Sequence, residues 1–271
     1  MATRQTDNLQ RYTVAKLRWQ TALALTVGLF CLTAGAPAGA AEIKVLTAGA
    51  FKPVVQELMP AFEKATGHKV QVDNDTAGAL VRRIEGGEAF DVLVLTPGGL
   101  TELSKKGKVT SEPSVQLAKV GIGVAVKQGA PKPDISTTEA FKQELLKARK
   151  VAMIGPAAGG SSGIYLSKLF EQWGVWDQIK AKAVLVPGGL VATRVVNGEA
   201  DIAIHQISEI LAVKDAVLVG PIPADIQNYT VYAGSVSAAS KEAEAAKAFL
   251  KTLSGPEAAD VLKTKGMEPT K

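Results

Sequence analysis

Gly155-Pro-Ala-Ala-Gly-Gly-Ser-Ser-Gly-Ile-Tyr-Leu-Ser-Lys-Leu-Phe170 is the stretch from which the fold can be read. The apolar run Val151–Ile154 before it predicts a strand, and Ile164, Tyr165, Leu169 and Phe170 recur after it at helical spacing. Between them stand glycines and serines, so a strand delivers the chain to a helix start with little side-chain cover. The first N–H groups of such a start lack intrahelical partners, and the macrodipole adds to their pull on an anion. Ser161 or Ser162 can cap the helix or offer a hydroxyl to a ligand. An ordinary capped loop has the same composition, so this segment alone leaves both readings open.

Two other stretches share the construction. Val45-Leu46-Thr47-Ala48-Gly49-Ala50-Phe51 leads into a helix expected over residues 54–65, and Val70-Gln71-Val72-Asp73-Asn74-Asp75-Thr76-Ala77-Gly78 into one expected over 79–85. Three small-residue turns after strands predict one shared site, because open α/β sheets hold ligands at the carboxyl ends of their strands. Further strands are expected at 90–95, 120–126, 182–186, 202–205 and 229–236. Helices are expected between them at 100–106, 139–148 and 190–196, and after them at 241–253 and 256–263. That alternation predicts the α/β class with doubly wound sheets.

Residues 1–40 read as a secretion signal removed near Ala40. Arg4, Arg11, Lys16 and Arg18 form a basic start, Thr21 to Thr33 is an apolar run too short to span a bilayer, and Ala38-Gly39-Ala40 fits an A-x-A cleavage site. The expectation is a periplasmic protein. Phe30 before Cys31 argues against a lipid anchor, so the mature chain is read as not membrane-anchored. Cys31 is the only cysteine, which leaves the mature chain without disulfides or thiolate metal ligands. The leader carries four Lys/Arg and one Asp, so its removal lowers the net charge from +5 to about +2. No basic block or aromatic–basic interleaving favours nucleic acid. With two histidines and no His/Asp/Glu pair at ligand spacing, no metal is expected. The absence of a P-loop, a dinucleotide fingerprint and a Gly-x-Ser-x-Gly elbow leaves no cofactor expected either.

The order of the pieces resembles the periplasmic solute-binding proteins of ABC importers, most closely the molybdate-binding type. The resemblance rests on Phe62-Glu63-Lys64-Ala65-Thr66-Gly67, Ala77-Gly78-Ala79-Leu80 with Arg83-Ile84, Phe90-Asp91-Val92, Gly163-Ile164-Tyr165, Val191-Ala192 with Arg194-Val195-Val196, and Gly198-Glu199-Ala200-Asp201. It implies a type II periplasmic binding protein fold: two doubly wound α/β lobes joined by two crossover hinge strands. Lobe 1 would comprise 41–122 plus 233–271 and lobe 2 would comprise 123–232, in a monomer served by an ABC permease. That family cages a tetrahedral oxyanion with neutral donors, including two serines, an alanine N–H and a tyrosine. Here the matching positions hold Ala50, then Thr76 and Ala77, then Ser162, then His205. The scaffold therefore matches where several ligand groups differ, and molybdate is not the favoured anion.

A second likeness is to a branch of the same superfamily that includes a periplasmic aconitate isomerase. Its residues are Val126-Lys127-Gln128-Gly129-Ala130-Pro131-Lys132-Pro133-Asp134-Ile135-Ser136, Gln206-Ile207-Ser208-Glu209, Pro221-Ile222-Pro223 and Tyr232-Ala233-Gly234. The leading expectation is a binding protein that captures a small anion, an oxyanion or a di- or tricarboxylate, for an importer. The alternative is an isomerase moving an allylic proton in an unsaturated tricarboxylate, with His205 or Glu209 as base. The ligand set expected is Gly49, Ala50, Phe51, Thr76, Ala77, Gly78, Arg82, Arg83, Ser161, Ser162, Gly163, Thr193, Arg194 and His205. The arginines are included because a guanidinium grips a carboxylate through two parallel bonds, although each is equally a solvent-facing helix residue. His205 is included because it ends an apolar strand and titrates near neutral pH. Glu209 and Asp75 read as bases or, more simply, as surface or capping acids.

Overall fold

Val92-Leu93-Val94-Leu95 is apolar at every position, and the structure covers it on both sides. Val92 and Val94 join one core cluster with Val45, Phe51, Phe62 and Phe249, while Leu93 and Leu95 join another with Leu46, Leu80, Leu100 and Leu103. Successive strand residues point to opposite faces, so a strand without polar positions must be buried between two layers. The computed structural model describes residues 39–270, and the expected secretion signal lies almost wholly outside them.

The first sheet has the order β11-β4-β10-β3-β1-β2. Its strands are β1 (Glu42–Ala48), β2 (Lys69–Asp75), β3 (Val92–Leu95), β4 (Val115–Val120), β10 (Thr230–Val236) and β11 (Glu268–Pro269). β1 runs parallel to β2 and β3, with Val45 opposite Val72 and Val92, and β10 is antiparallel to β3 and β4. The second sheet is β7-β6-β8-β5-β9, built from β5 (Ile122–Lys127), β6 (Val151–Ile154), β7 (Ala183–Val186), β8 (Ile202–Gln206) and β9 (Ala216–Pro221). It repeats the two-sided pattern: Val151 and Met153 pack with Phe141 and Phe170, whereas Ala152 and Ile154 pack with Val191 and Val195. Trp173 and Trp176 close that core against Phe170, their ring centroids 5.7 and 6.4 Å from it.

The chain crosses between the sheets twice, at Gly121 and between Pro221 and Thr230. One continuous strand over 120–126 is expected from hydropathy, but two strands form. β4 and β5 belong to different sheets, and Gly121 turns the chain between them. Gln227 holds the junction: its Oε1 accepts from Ile122 N at 2.8 Å and its Nε2 donates to Ile122 O at 2.9 Å. A Cβ at Gly121 would lie 3.1–3.3 Å from that amide, so a side chain there would press on the clamp. The helix expected over 190–196 shrinks to Thr193–Val196, because the turn with Gly189 at φ +78° occupies its first part.

Candidate functional site

β1 and β2 end side by side at Ala48 and Asp75, and each hands the chain to a helix. After β1, residues Gly49–Phe51 make a 3-10 turn into α1 (Lys52–Thr66); after β2, Thr76 starts α2 (Ala77–Glu85). Thr76 Oγ1 accepts from Ala79 N at 3.2 Å, the bond expected of an N-cap, and donates to Ala158 O of the other lobe at 2.5 Å. Beside it Gly78 N donates to Gly159 O at 3.0 Å. The two lobes meet here backbone to backbone. A Cβ at Gly78 would lie 2.9 Å from Gly159 Cα, and Gly159 has φ +80°.

From the second lobe comes α5 (Ser161–Gln172), numbered after α3 (Pro97–Lys105) and α4 (Thr138–Lys147). Its N-cap is Gly160, which has no side chain to spend on the first turn. Ser161 and Ser162 therefore do not cap the helix as the sequence reading allowed. The Ser161 hydroxyl lies 3.1 Å from both Gln206 Nε2 and Thr230 Oγ1, and Gln206 Nε2 donates to Thr230 Oγ1 at 2.8 Å. This triad ties β8, β10 and α5 together at the point where the chain crosses back.

The turns enclose a polar cavity of about 30 Å³, room for a water or two by that measure. Ala48, Gly49, Ala50, Asn74, Asp75, Thr76, Ala77 and Tyr232 line it from the first sheet, and Ile154, Gly160, Ser161, Ser162, Gly189, His205, Gln206 and Glu209 from the other side. Anything larger must enter with the lobes apart or with these side chains moved. A wider groove of about 680 Å³ runs past Lys127, Pro131, Arg149 and Asp201. It lies away from the turns that follow β1, β2 and β6, and its lysines are exposed.

At the floor His205 Nε2 lies 3.2 Å from Glu209 Oε2, with side chains only 4% and 9% exposed. That spacing would suit an ion pair. Burial disfavours the charged form of each partner, however, pushing His205 down to about 3 and Glu209 up to about 8. Burial thus favours a neutral hydrogen-bonded pair over an ion pair. Burial also raises the Tyr232 phenol, with Glu209 adding to it. Glu209 Oε1 would lie 2.6 Å from a Cβ at Gly49, so this glycine makes room for the carboxyl group.

The structure brings together Gly49, Ala50, Thr76, Ala77, Ser161, Ser162 and His205, and adds Glu209, which is buried rather than a surface acid. The other expected residues stand elsewhere. Phe51 is buried in the first lobe's core, its ring centroid 6.4 Å from Tyr232. Gly78 forms the contact between lobes, and Gly163 packs on β6, where a Cβ would meet Ile154 O at 2.4 Å. Arg82 is exposed. Arg83 is held by Asp73, Asp75 and Glu88, the last at 2.6 Å, and lowers Glu88 to about 2. Arg194 Nη1 is 3.0 Å from Glu199, and Thr193 Oγ1 donates to Leu190 O. Among the described residues, no arginine or lysine lines the cavity.

Sequence reasoning missed Asn74, Gln206, Thr230 and Tyr232. The last two stand two apart on β10 and so face one side, a period-2 signal that was present in the chain. Among the described residues, no group of three or more His, Cys, Asp or Glu is placed to hold a metal, and no helix is long and apolar enough to cross a membrane.

The model of the bacterial extracellular solute-binding protein family matches residues 43–268. The chain belongs to this family. It is 37% identical over 233 residues to an aconitate isomerase from a Pseudomonas species, an alignment covering 84% of this chain and 87% of that one. It is 26% identical over 254 residues to the molybdate-binding protein ModA of Escherichia coli strain K12, covering 92% and 97%. In three dimensions it is similar to the periplasmic molybdate-binding protein of Azotobacter vinelandii, with TM-score 0.70 and 20% identity over 84% of this chain and 100% of that one. That match supports the two-lobe fold drawn from the sequence.

Proposed function

We propose that this family member is an exported, periplasmic, monomeric receptor whose lobes, 41–122 plus 233–271 and 123–232, close on one small anion for delivery to an ABC permease. The observation that carries this reading is the polar cavity between the lobes, bridged above by the Thr76–Ala158 and Gly78–Gly159 hydrogen bonds. The start of α5, the Ser161 and Ser162 hydroxyls and the Asn74 amide are the donors that would replace the anion's water on closure. An anion held by these neutral donors avoids the large desolvation cost of burying a lysine or arginine beside it, and the Asp75 carboxylate on the cavity wall is paired with Arg83. The experiment is a thermal-shift screen of molybdate, sulfate, phosphate, citrate and cis- and trans-aconitate. A ligand of the folded state raises the melting temperature by mass action, and a screen in which nothing shifts refutes the reading.

A second reading is favoured by the buried His205–Glu209 pair and by the similarity to an aconitate isomerase. In that reading the pair moves an allylic proton. A base takes H⁺ from the CH₂ carbon of aconitate, the electron pair spreads over the conjugated carboxylates, and H⁺ returns to the far carbon as the double bond shifts. No oxidant or co-reactant enters. Incubation with trans-aconitate in D₂O, followed by proton NMR, would show the cis isomer with deuterium incorporated. Unchanged substrate eliminates this reading and leaves the receptor.

A further inference from the structure

The roles assigned below to His205 and Glu209 rest on the reading that the cavity takes an anion. Among the described residues, the groups that line the cavity with Glu209 give it no positive charge. From the 3-10 turn comes Gly49, from β2 come Asn74 and the carboxylate Asp75, from β10 the phenol Tyr232, and from α5 the hydroxyls of Ser161 and Ser162. His205 on β8 is the basic group 3.2 Å from it, and His205 Nδ1 is buried with no hydrogen-bond partner among the described residues. A neutral imidazole carries a proton on one nitrogen only, and the bond made by the other nitrogen selects which. If Glu209 is protonated, its O–H donates to Nε2 and the imidazole proton must sit on Nδ1. If Glu209 is ionised, Nε2 carries the proton toward the carboxylate and Nδ1 becomes an acceptor.

We propose that Glu209, as a neutral acid, is a positioning residue that fixes His205 in the tautomer presenting Nδ1–H to the anion, and that ionising Glu209 turns the same nitrogen into an acceptor and expels the anion. The site is thus selective for solutes that accept hydrogen bonds. Above the point where free Glu209 ionises, each anion bound also takes up one proton from solvent, which comes to rest on Glu209. The bound anion adds like-charge repulsion within a cavity of about 30 Å³, which favours the protonated carboxyl further.

The test uses the purified protein, with molybdate and trans-aconitate as probes, both of constant charge over the range used. The dissociation constant of the wild type is expected to stay flat up to about pH 8 and then to weaken about tenfold per pH unit. Gln at position 209 also donates to Nε2 but cannot ionise. E209Q is therefore expected to lose the alkaline fall in affinity, its dissociation constant staying flat where the wild type weakens about tenfold per pH unit. Histidine ¹⁵N NMR on the wild type is expected to show Nδ1 of His205 protonated and Nε2 not. A wild type with the opposite tautomer or an imidazolium at neutral pH overturns the proposal, as does an E209Q that keeps the wild-type slope. The nitrogen spectrum needs no ligand, so its failure is separable from failure of the anion reading. Correct nitrogen signals with neither probe bound at any pH would overturn the anion reading and with it the claim that the pair gates a ligand.

Discussion

Replacing Gly78 by alanine separates closure from folding. The added methyl would start 2.9 Å from Gly159 Cα, against about 3.5–4.0 Å for comfortable carbon–carbon contact. The lobes must then give by about 0.6–1.1 Å, because the obstacle is backbone and has no rotamer to change. That shift stretches the 3.0 Å bond from Gly78 N to Gly159 O beyond hydrogen-bonding range. Overpacking of this kind costs about 1–3 kcal/mol and the lost bond about 1 kcal/mol. A closed state disfavoured by about 2–4 kcal/mol binds its ligand about 30- to 1,000-fold more weakly. Gly78 lies inside α2, where alanine favours the helix by up to about 1 kcal/mol, so folding of the lobe itself is not impaired. The assay is isothermal titration with the anion giving the largest thermal shift, with solution scattering to follow compaction. Gly98→Ala is the control, since a Cβ there meets nothing within 4 Å. A G78A protein that binds as tightly as the control would show that closure does not run through this contact.

Other expected outcomes follow from the same geometry. Gln206→Leu strips Ser161 and Thr230 of a shared donor and leaves them only each other, and the two lost hydrogen bonds should cost about 1–3 kcal/mol, read as a melting point lower by about 2–12 °C. Arg83→Met should leave anion affinity unchanged while lowering stability at neutral pH by about 1 kcal/mol, the scale of a partly exposed charge network. Glu88 is depressed from 4.5 to about 2 chiefly by its Arg83 hydrogen bond. Its contribution is therefore present above pH 4.5 and lost as pH falls toward 2, and the wild type's acid loss over that window should shrink in the variant. His205 has its value lowered from 6.5 to about 3 by burial, so its own contribution to stability falls as pH drops through those limits, offset between pH 4.5 and 6.5 by Glu209, whose raised value works the other way. Relative to the wild type, His205→Gln should therefore lose less stability as pH drops over that window, and an unchanged slope would contradict the buried neutral imidazole.

Much of the architecture was legible in the chain because burial on both faces leaves a local mark. Val92–Leu95 and Val151–Ile154 have no polar position, and only a covered strand tolerates that. The small-residue corners after β1, β2 and β6 were also legible, since a tight turn into a helix needs glycine, serine or threonine near its start. The arginines misled for a related reason. Arg83 sits one turn inside a helix at the cleft, but β2 and the turn before β3 supply Asp73, Asp75 and Glu88 around its guanidinium, and sequence spacing does not reveal a partner 10 residues away on a neighbouring strand. Glu209 read as a base or as a surface acid, because a polar residue after a short strand looks the same whether it faces solvent or a cavity.

The sequence by itself determined the two-sided strands and the helix starts, both properties of neighbours along the chain. Which side chains face one another was decided only in three dimensions. Residues 49, 76, 161, 205 and 232 meet because the chain crosses twice between the sheets. The protonation of His205 and Glu209 depends on that meeting, since the energy of a charge is set by what surrounds it in space.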